Sequence, residues 1–172
     1  FYFFKIFMKI FNRNWPIFLF LVSCVAVGSV LIAENIYNIL PCKMCLYQRY
    51  PYYFIICISL FFIIFKKLPS KLYNLIIEFL LLIGLFFSIW HVGIEQKIIS
   101  GLSGCTNAIK KTDSLTNLKD QIINQNLITC DEVTWSIMGL SAATINTLLL
   151  VLLLLINTIF IINCYYGKKK NK

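Results

Sequence analysis

Two cysteines separated by two residues, Cys42 and Cys45, carry the clearest chemical signal of the sequence, in the stretch PCKMCLYQR. Side-chain roots at positions i and i+3 of a helix lie about 5–6 Å apart, near the spacing that a disulfide accepts. If a helix begins at this motif, both sulfurs lie at its positive end, which stabilises a thiolate. Arg49 would share the face of Cys45 and add a positive charge. The motif therefore favours an activated redox pair over a structural disulfide.

Two further cysteines, Cys105 and Cys130, lie downstream in a long polar segment, and a zinc site is the main alternative for the four. Structural zinc takes four nitrogen or sulfur ligands, commonly as two close pairs. Cys105 and Cys130 are far apart in the sequence, and an oxidising compartment outside the membrane favours disulfides. We therefore predict two disulfides and no metal. The pairing stays open, because four cysteines allow three connectivities.

The single histidine, His91, lies near the end of an apolar run. It is either a tolerated residue of the membrane interface or a neutral imidazole that hydrogen-bonds a lipid-soluble acceptor at the depth of Cys45. Glu95, one turn later, could orient it, but a solvated loop carboxylate is the preferred interpretation. For Glu78, inside the same run, pairing with nearby lysines is preferred to a functional role.

Four nearly charge-free stretches must position these residues. The chain has 172 residues, of which 59% are hydrophobic and 13% charged, a balance typical of integral membrane proteins. Each stretch is long enough to cross a hydrocarbon core of roughly 30 Å. The prediction is an all-α, four-helix membrane bundle in one domain over residues 15–163, between a flank at 1–14 and a basic tail at 164–172. The predicted helices are 15–33, 44–65, 72–93 and 139–163, and the first is interpreted as retained rather than as a signal peptide.

Lysine and arginine predict how the bundle is oriented. Most of them cluster before the first helix, between the second and third, and after the fourth: Lys5, Lys9 and Arg13; Lys66, Lys67 and Lys71; Lys168, Lys169, Lys170 and Lys172. The positive-inside rule places both termini in the cytoplasm and the loops at about 34–43 and 94–138 outside. The net charge of +9 is thus a topology signal, and nucleic-acid binding is not expected. Within the longer loop, residues 114–128 resemble a short helix on the membrane surface, and a helix packed within the loop is the alternative.

Three cysteines fall inside the apolar helices rather than the loops, namely Cys24, Cys57 and Cys164. A lone cysteine in an apolar setting behaves as a small hydrophobic side chain, and we assign these three no chemistry.

With these features together, the sequence resembles the DsbB family of bacterial inner-membrane disulfide-generating proteins. The resemblance rests on four spans, on PCKMCLYQR before the second helix, on two cysteines in the second outer loop, and on CDEVTWSIMGLSAATIN at the last of them. The family pattern C-x-x-C-x-x-x-R is kept by Cys42, Cys45 and Arg49. Vitamin K epoxide reductase relatives place their loop pair before the CxxC, so the order here favours DsbB or its DsbI-like branch.

The resemblance implies a thiol:quinone oxidoreductase of the bacterial inner membrane, with its redox loops in the periplasm. A reduced, DsbA-like thioredoxin-fold carrier would attack a Cys105–Cys130 disulfide, and the electrons would pass to ubiquinone or menaquinone from the membrane pool. Four residues would be catalytic and two would bind the quinone, namely Cys42, Cys45, Cys105 and Cys130, and Arg49 and His91.

Two other interpretations remain open from the residues alone. The first is a non-enzymatic four-helix scaffold with two inert disulfides, which would require neither Arg49 nor a CxxC at a helix start. The second is a transporter subunit, but no predicted helix carries the paired midplane charges that transport sites show.

Overall fold

The computed structural model describes residues 2–38, 41–65, 69–101, 130, 133, 136–137 and 139–169. These residues form α1 (Tyr2–Asn35), α2 (Lys43–Phe65), α3 (Ser70–Glu95) and α4 (Ala142–Lys169), with a short hairpin, β1 (Ser136–Ile137) and β2 (Leu140–Ser141), directly before α4. The strands are antiparallel, and Gly139 in the turn has a φ of 80°, which glycine adopts without steric cost. Cys105 and the predicted surface helix at 114–128 lie outside the described residues.

All four helices are long and apolar enough to cross a membrane, which confirms the predicted membrane bundle. The apolar spans are Arg13–Asn35, Lys43–Phe65, Ser70–Glu95 and Ala142–Asn163. Large apolar side chains such as Val25, Phe79 and Leu155 are more than half exposed on the outside of the bundle. Such a surface suits a hydrocarbon surrounding, where helices satisfy their own backbone hydrogen bonds. Which side each end faces stays a prediction.

The helices extend past the predicted bounds. The first begins at Tyr2, inside the predicted flank, and α4 continues to Lys169, inside the predicted tail. Hydropathy marks only the lipid-facing part, whereas intrahelical hydrogen bonds continue wherever the backbone permits. Glu34, which was predicted to lie in an outer loop, instead lies in the last turn of α1.

Neighbouring helices pack in chain order, with α1 against α2, α2 against α3, and α3 against α4. Gly84 permits the close approach of three helices, since a Cβ there would lie 3.4 Å from the Pro51 side chain of α2 and from Leu150 of α4. Trp15 of α1 is fully buried and stacks edge-on against Phe160 of α4, so the first and last helices also touch. The result is a compact core that fixes the rotation of each helix.

A buried polar cluster joins α1, α3 and α4 at the end of the bundle that carries the α2–α3 link. Asn157 accepts a hydrogen bond from Trp15 Nε1 at 2.9 Å and donates to Asn74 O at 2.9 Å and to Glu78 Oε2 at 2.7 Å. Thr158 Oγ1 donates to Glu78 Oε1 at 2.5 Å. Glu78 therefore links α3 to α4 through both carboxylate oxygens, a role that the sequence did not predict.

The substitution Asn157→Leu should lower the free energy of unfolding by about 2 kcal/mol, because three interhelical hydrogen bonds are lost and each contributes up to about 1 kcal/mol in a bilayer. Denaturation in mixed micelles measures this, with Asn163→Leu, at an exposed position of the same helix, as the matched control. Equal stability of the two variants would show that the cluster does not hold the helices together.

Candidate functional site

The two cysteines of the CxxC motif lie at the start of α2, and the first of them caps the helix. Cys42 Sγ accepts a hydrogen bond from the backbone N–H of Cys45 at 3.2 Å, the contact that an N-cap side chain makes with the third helical residue. This cap brings the two Sγ atoms to 3.0 Å. The pair needs only a small shift to reach the disulfide bond length of about 2.05 Å.

A third cysteine, Cys130, lies against this pair. It is 1% exposed, hydrogen-bonds with the Cys42 thiol and packs with Met44 and Ile94. The fold thus brings a residue from just before the hairpin into contact with the first cysteine of the CxxC. Thiol–disulfide exchange between Cys130 and Cys42 requires such contact, because it proceeds by direct attack of sulfur on sulfur.

The environment of Cys42 holds this thiol in its protonated form. The hydrogen bond with Cys130 lowers the pKa of Cys42, but the hydrogen bond with Cys45 and burial outweigh it and raise the pKa to about 12. Since the thiolate is the reactive form, Cys42 is a poor nucleophile in the reduced site.

Alkylation at neutral pH tests this assignment. In the fully reduced protein, iodoacetamide should modify Cys42 about 100- to 1000-fold more slowly than it modifies glutathione, because a pKa near 12 leaves very little thiolate. Peptide mass spectrometry after timed quenching gives the rate, and the same peptide in unfolded protein is the control. A rate like that of an exposed thiol would contradict the assignment.

His91 of α3 lies beside the two sulfurs. It is 4% exposed, and its Nε2 lies 3.5 Å from Cys42 Sγ. Its Nδ1 lies 2.9 Å from Gln48 Nε2. With Gln48 as the donor, the ring proton resides on Nε2 and points towards Cys42. The structure thus buries His91 beside the two sulfurs, and its role in binding a quinone stays a prediction.

The preferred interpretation of Glu95 as a solvated loop carboxylate is wrong. Glu95 is the last residue of α3, its side chain is 6% exposed, and Oε1 lies 3.9 Å from His91 Nε2. Its Oε2 accepts a hydrogen bond of 2.5 Å from Ser141 Oγ, which also caps α4 by accepting from Thr144 N–H at 3.2 Å. Glu95 therefore ties the start of α4 to the end of α3 beside the histidine.

A chain of side-chain hydrogen bonds, which we call the amide relay, holds His91 from the other side and consists of Gln48, Asn146 and Tyr52. Asn146 Nδ2 donates to Gln48 Oε1 at 3.0 Å, and Tyr52 OH donates to Asn146 Oδ1 at 2.5 Å. None of these three residues was predicted from the sequence to belong to the site. The available signal was the presence of amides in nearly charge-free spans, where an unpaired amide costs several kcal/mol.

Arg49 is held by α1. Its Nη1 donates to Glu34 Oε2 at 3.0 Å, and Nη2 contacts Glu34 Oε1, so the pair is bidentate. Arg49 is 8% exposed, and its buried Nε has no hydrogen-bond partner among the described residues. A ligand beside Arg49 would meet a fixed positive charge with an unused donor.

A cavity of about 300 Å³ between the four helices opens onto these groups. All four helices contribute to its polar lining, which consists of Ser29, Cys45, Gln48, Arg49, Tyr52, His91 and Asn146. The rest of the lining is largely aliphatic and includes Val27, Ala143 and Leu149. Among the described residues no carboxylate lines it, and an uncharged ring with carbonyl acceptors, as in a quinone, fits the donors and the apolar walls.

Two of the three cysteines that were assigned no chemistry lie apart from the cavity. Cys24 of α1 is half-buried and Cys57 of α2 is exposed on the bundle surface, and neither lines it. The side chain of Cys164 lies outside the described residues.

The chain is similar to known proteins over most of its length. A family model described as "Disulfide bond formation protein DsbB" matches residues 12–160. The chain is 29% identical over 136 residues to "Uncharacterized protein RP370" from Rickettsia prowazekii (strain Madrid E), a match that covers 78% of each chain. No solved structure gives a significant match.

Proposed function

The chain belongs to the DsbB family, and on that premise we propose that it is a membrane thiol:quinone oxidoreductase that reoxidises a DsbA-like periplasmic dithiol carrier. Membership places it in the machinery of disulfide bond formation. The observation that supports the finer activity is the position of Cys45, which belongs to the cysteine pair and also lines the cavity with Arg49 and His91. The quinone that binds in the cavity would be ubiquinone or menaquinone.

In the first step the carrier dithiol attacks a Cys105–Cys130 disulfide. A carrier–Cys105 disulfide forms, and the sulfur of Cys130 is released. Cys130 contacts Cys42, so its thiolate is positioned to attack Cys42 of a Cys42–Cys45 disulfide. A Cys42–Cys130 bond forms, the Cys42–Cys45 bond breaks, and Cys45 leaves as a thiolate.

Two further exchanges complete the transfer of electrons to the CxxC pair. The second carrier thiol attacks the carrier–Cys105 disulfide, which releases the oxidised carrier and the sulfur of Cys105. Cys105 then attacks Cys130 of the Cys42–Cys130 disulfide, so the Cys105–Cys130 bond re-forms and Cys42 and Cys45 remain as a dithiol. A quinone bound in the cavity would accept the two electrons and two protons of that dithiol as the Cys42–Cys45 bond re-forms.

The neighbouring side chains support the Cys45 thiolate and orient the ring. The Arg49 guanidinium, oriented by Glu34, supplies a fixed positive charge on the cavity wall. His91 and Gln48 form part of the same cavity wall, beside the place that the quinone ring would occupy. The amide relay fixes the orientation of the His91 ring through Gln48.

Replacing Asn146 with leucine should lower the rate of quinone reduction about tenfold, because Gln48 loses its partner and the His91 ring is no longer held, at a cost near one buried hydrogen bond. The measurement is steady-state quinone absorbance at saturating carrier. Leu149, on the same cavity wall, provides a matched control as Leu149→Met, which should retain most activity. Equal rates for both variants would remove the relay from the mechanism.

Thiol trapping of the carrier tests the proposed function. The protein in liposomes is mixed with a reduced thioredoxin-fold carrier, with or without quinone, and free carrier thiols are tagged for gel separation. We expect catalytic carrier oxidation only with quinone. An unchanged carrier in every mixture, with folded protein, would instead favour a scaffold with inert cysteines.

A further inference from the structure

Three potential metal ligands converge at the redox pair. The Cys42 Sγ, Cys45 Sγ and His91 Nε2 atoms all lie within 4.8 Å of one another, with 3.0 Å between the sulfurs and 3.5 Å from Cys42 Sγ to the ring nitrogen. Zn–S and Zn–N bonds of about 2.3 and 2.0–2.1 Å in a tetrahedron require ligands roughly 3.4–3.8 Å apart. The observed spacing needs only small adjustments to meet this geometry.

We propose that the fully reduced site binds one thiophilic divalent cation, Zn²⁺ or Cd²⁺, through Cys42, Cys45 and His91, with Cys130 as the fourth ligand, and that the bound ion blocks electron transfer. This departs from the expectation of no metal, which rested on the distance between the loop cysteines in the sequence and on an oxidising compartment. The fold removes the first objection, because Cys130 is buried in hydrogen-bond contact with Cys42. The second does not apply to the fully reduced site, which is the only form proposed to bind the metal.

The donor set selects the class of metal. Three sulfurs and one imidazole are a soft set that binds Zn²⁺ and its heavier relative Cd²⁺, whereas Mg²⁺ and Ca²⁺ require oxygen ligands. Glu95, the nearest carboxylate to His91 among the described residues, is held by Ser141 and lies 3.9 Å from Nε2, so it is a neighbour rather than a required ligand.

The His91 ring already lies with Nε2 towards the sulfurs, 3.5 Å from Cys42 Sγ, but its proton must move from Nε2 to Nδ1 before Nε2 can bind a metal. In metal sites the second ring nitrogen is held by a hydrogen bond, and loss of that bond lowers metal affinity about 10- to 100-fold. Here Gln48 holds Nδ1 at 2.9 Å. Rotation of the Gln48 amide presents its oxygen to Nδ1–H, and Asn146 rotates with it, so that the lone pair of Nε2 faces the sulfurs.

Binding moves protons and no electrons. Three thiols lose three protons as three metal–sulfur bonds form, and the resulting site has one net negative charge near the Arg49 guanidinium. The inhibition follows because a metal-bound Cys42 and Cys45 are not available to form their disulfide. Binding itself requires neither a quinone nor a carrier.

A cobalt titration tests the site directly. The full-length protein in lipid nanodiscs, reduced with a phosphine under argon, is titrated with Co²⁺ and then with Zn²⁺. We expect one Co²⁺ per chain with the thiolate charge-transfer and visible bands of a tetrahedral complex, displaced by one equivalent of Zn²⁺. Cys45→Ser and His91→Gln should each weaken binding at least about tenfold, and Gln48→Leu by about 10- to 100-fold, while Cys57→Ser should leave it unchanged.

Several results would overturn the metal site. These are an octahedral spectrum, undiminished binding in His91→Gln or in the oxidised protein, and loss of binding in Cys57→Ser with circular dichroism unchanged. The quinone assay separates this proposal from the proposed function. Quinone reduction that Zn²⁺ does not inhibit overturns the metal proposal alone, whereas metal binding without any quinone reduction overturns the redox function alone.

Discussion

Quinone reduction should fall to the rate seen without protein when Cys45 is replaced by alanine. In the proposed mechanism Cys45 is the sulfur that leaves when Cys130 attacks the Cys42–Cys45 disulfide, and it is also the member of that pair that lines the cavity, so no other thiol can substitute for it. Loss of an essential nucleophile typically costs many orders of magnitude in rate. The measurement is quinone absorbance with reduced carrier in excess.

The matched control is Cys57→Ala on the same helix. Cys57 is exposed on the bundle surface and lines no part of the cavity, so its loss should leave most of the rate. Both variants remove one sulfur from α2, and comparing them separates chemistry from packing. Activity in Cys45→Ala, or its loss in Cys57→Ala, would overturn the assignment of the redox pair.

Replacing Arg49 with leucine should impair both folding and activity. The change leaves Glu34 without its bidentate partner in a partly buried position, and breaking such a pair costs about 1–3 kcal/mol of stability after allowance for the exposed side of Glu34. It also removes the fixed charge of the cavity, so we expect the KM for quinone to rise at least about tenfold.

The variant Glu34→Gln separates these two effects. It keeps the guanidinium in the cavity and removes only the ion pair, so it should lower stability while changing the KM for quinone less than Arg49→Leu does. Arg49→Lys keeps a positive charge but lacks the planar guanidinium, so we expect its KM for quinone to lie between those of Glu34→Gln and Arg49→Leu. If Arg49→Leu had an unchanged KM for quinone in folded protein, Arg49 would be a structural residue only.

The helices and the redox pair could be predicted from the sequence because each depends on local information. Apolar runs of spanning length specify helices in a bilayer whatever their neighbours are. The positions of Cys42, Cys45 and Arg49 follow from helical spacing alone, and the structure places both sulfurs at the start of α2 as expected.

The interhelical partners could not be predicted because they depend on how each helix is rotated in the bundle. Glu34 was assigned to a loop, yet it orients Arg49; Glu95 was assigned to solvent, yet it joins α3 to Ser141. Asn146 reaches His91 only through Gln48, across two helix contacts. No spacing within one helix encodes these pairings. A polar residue in an apolar span does indicate that the position has a polar partner, but not which partner it is.

The anaerobic stoichiometry between carrier and quinone tests whether the protein transfers electrons from a dithiol to a quinone. Purified protein with quinone is mixed with known amounts of reduced carrier, and quinone absorbance and carrier thiols are followed together. The proposed mechanism predicts that one quinone is reduced for each carrier disulfide formed, and that no quinone is reduced when the carrier is absent. Carrier disulfides that accumulate without quinone loss, or quinone loss without carrier, would contradict it.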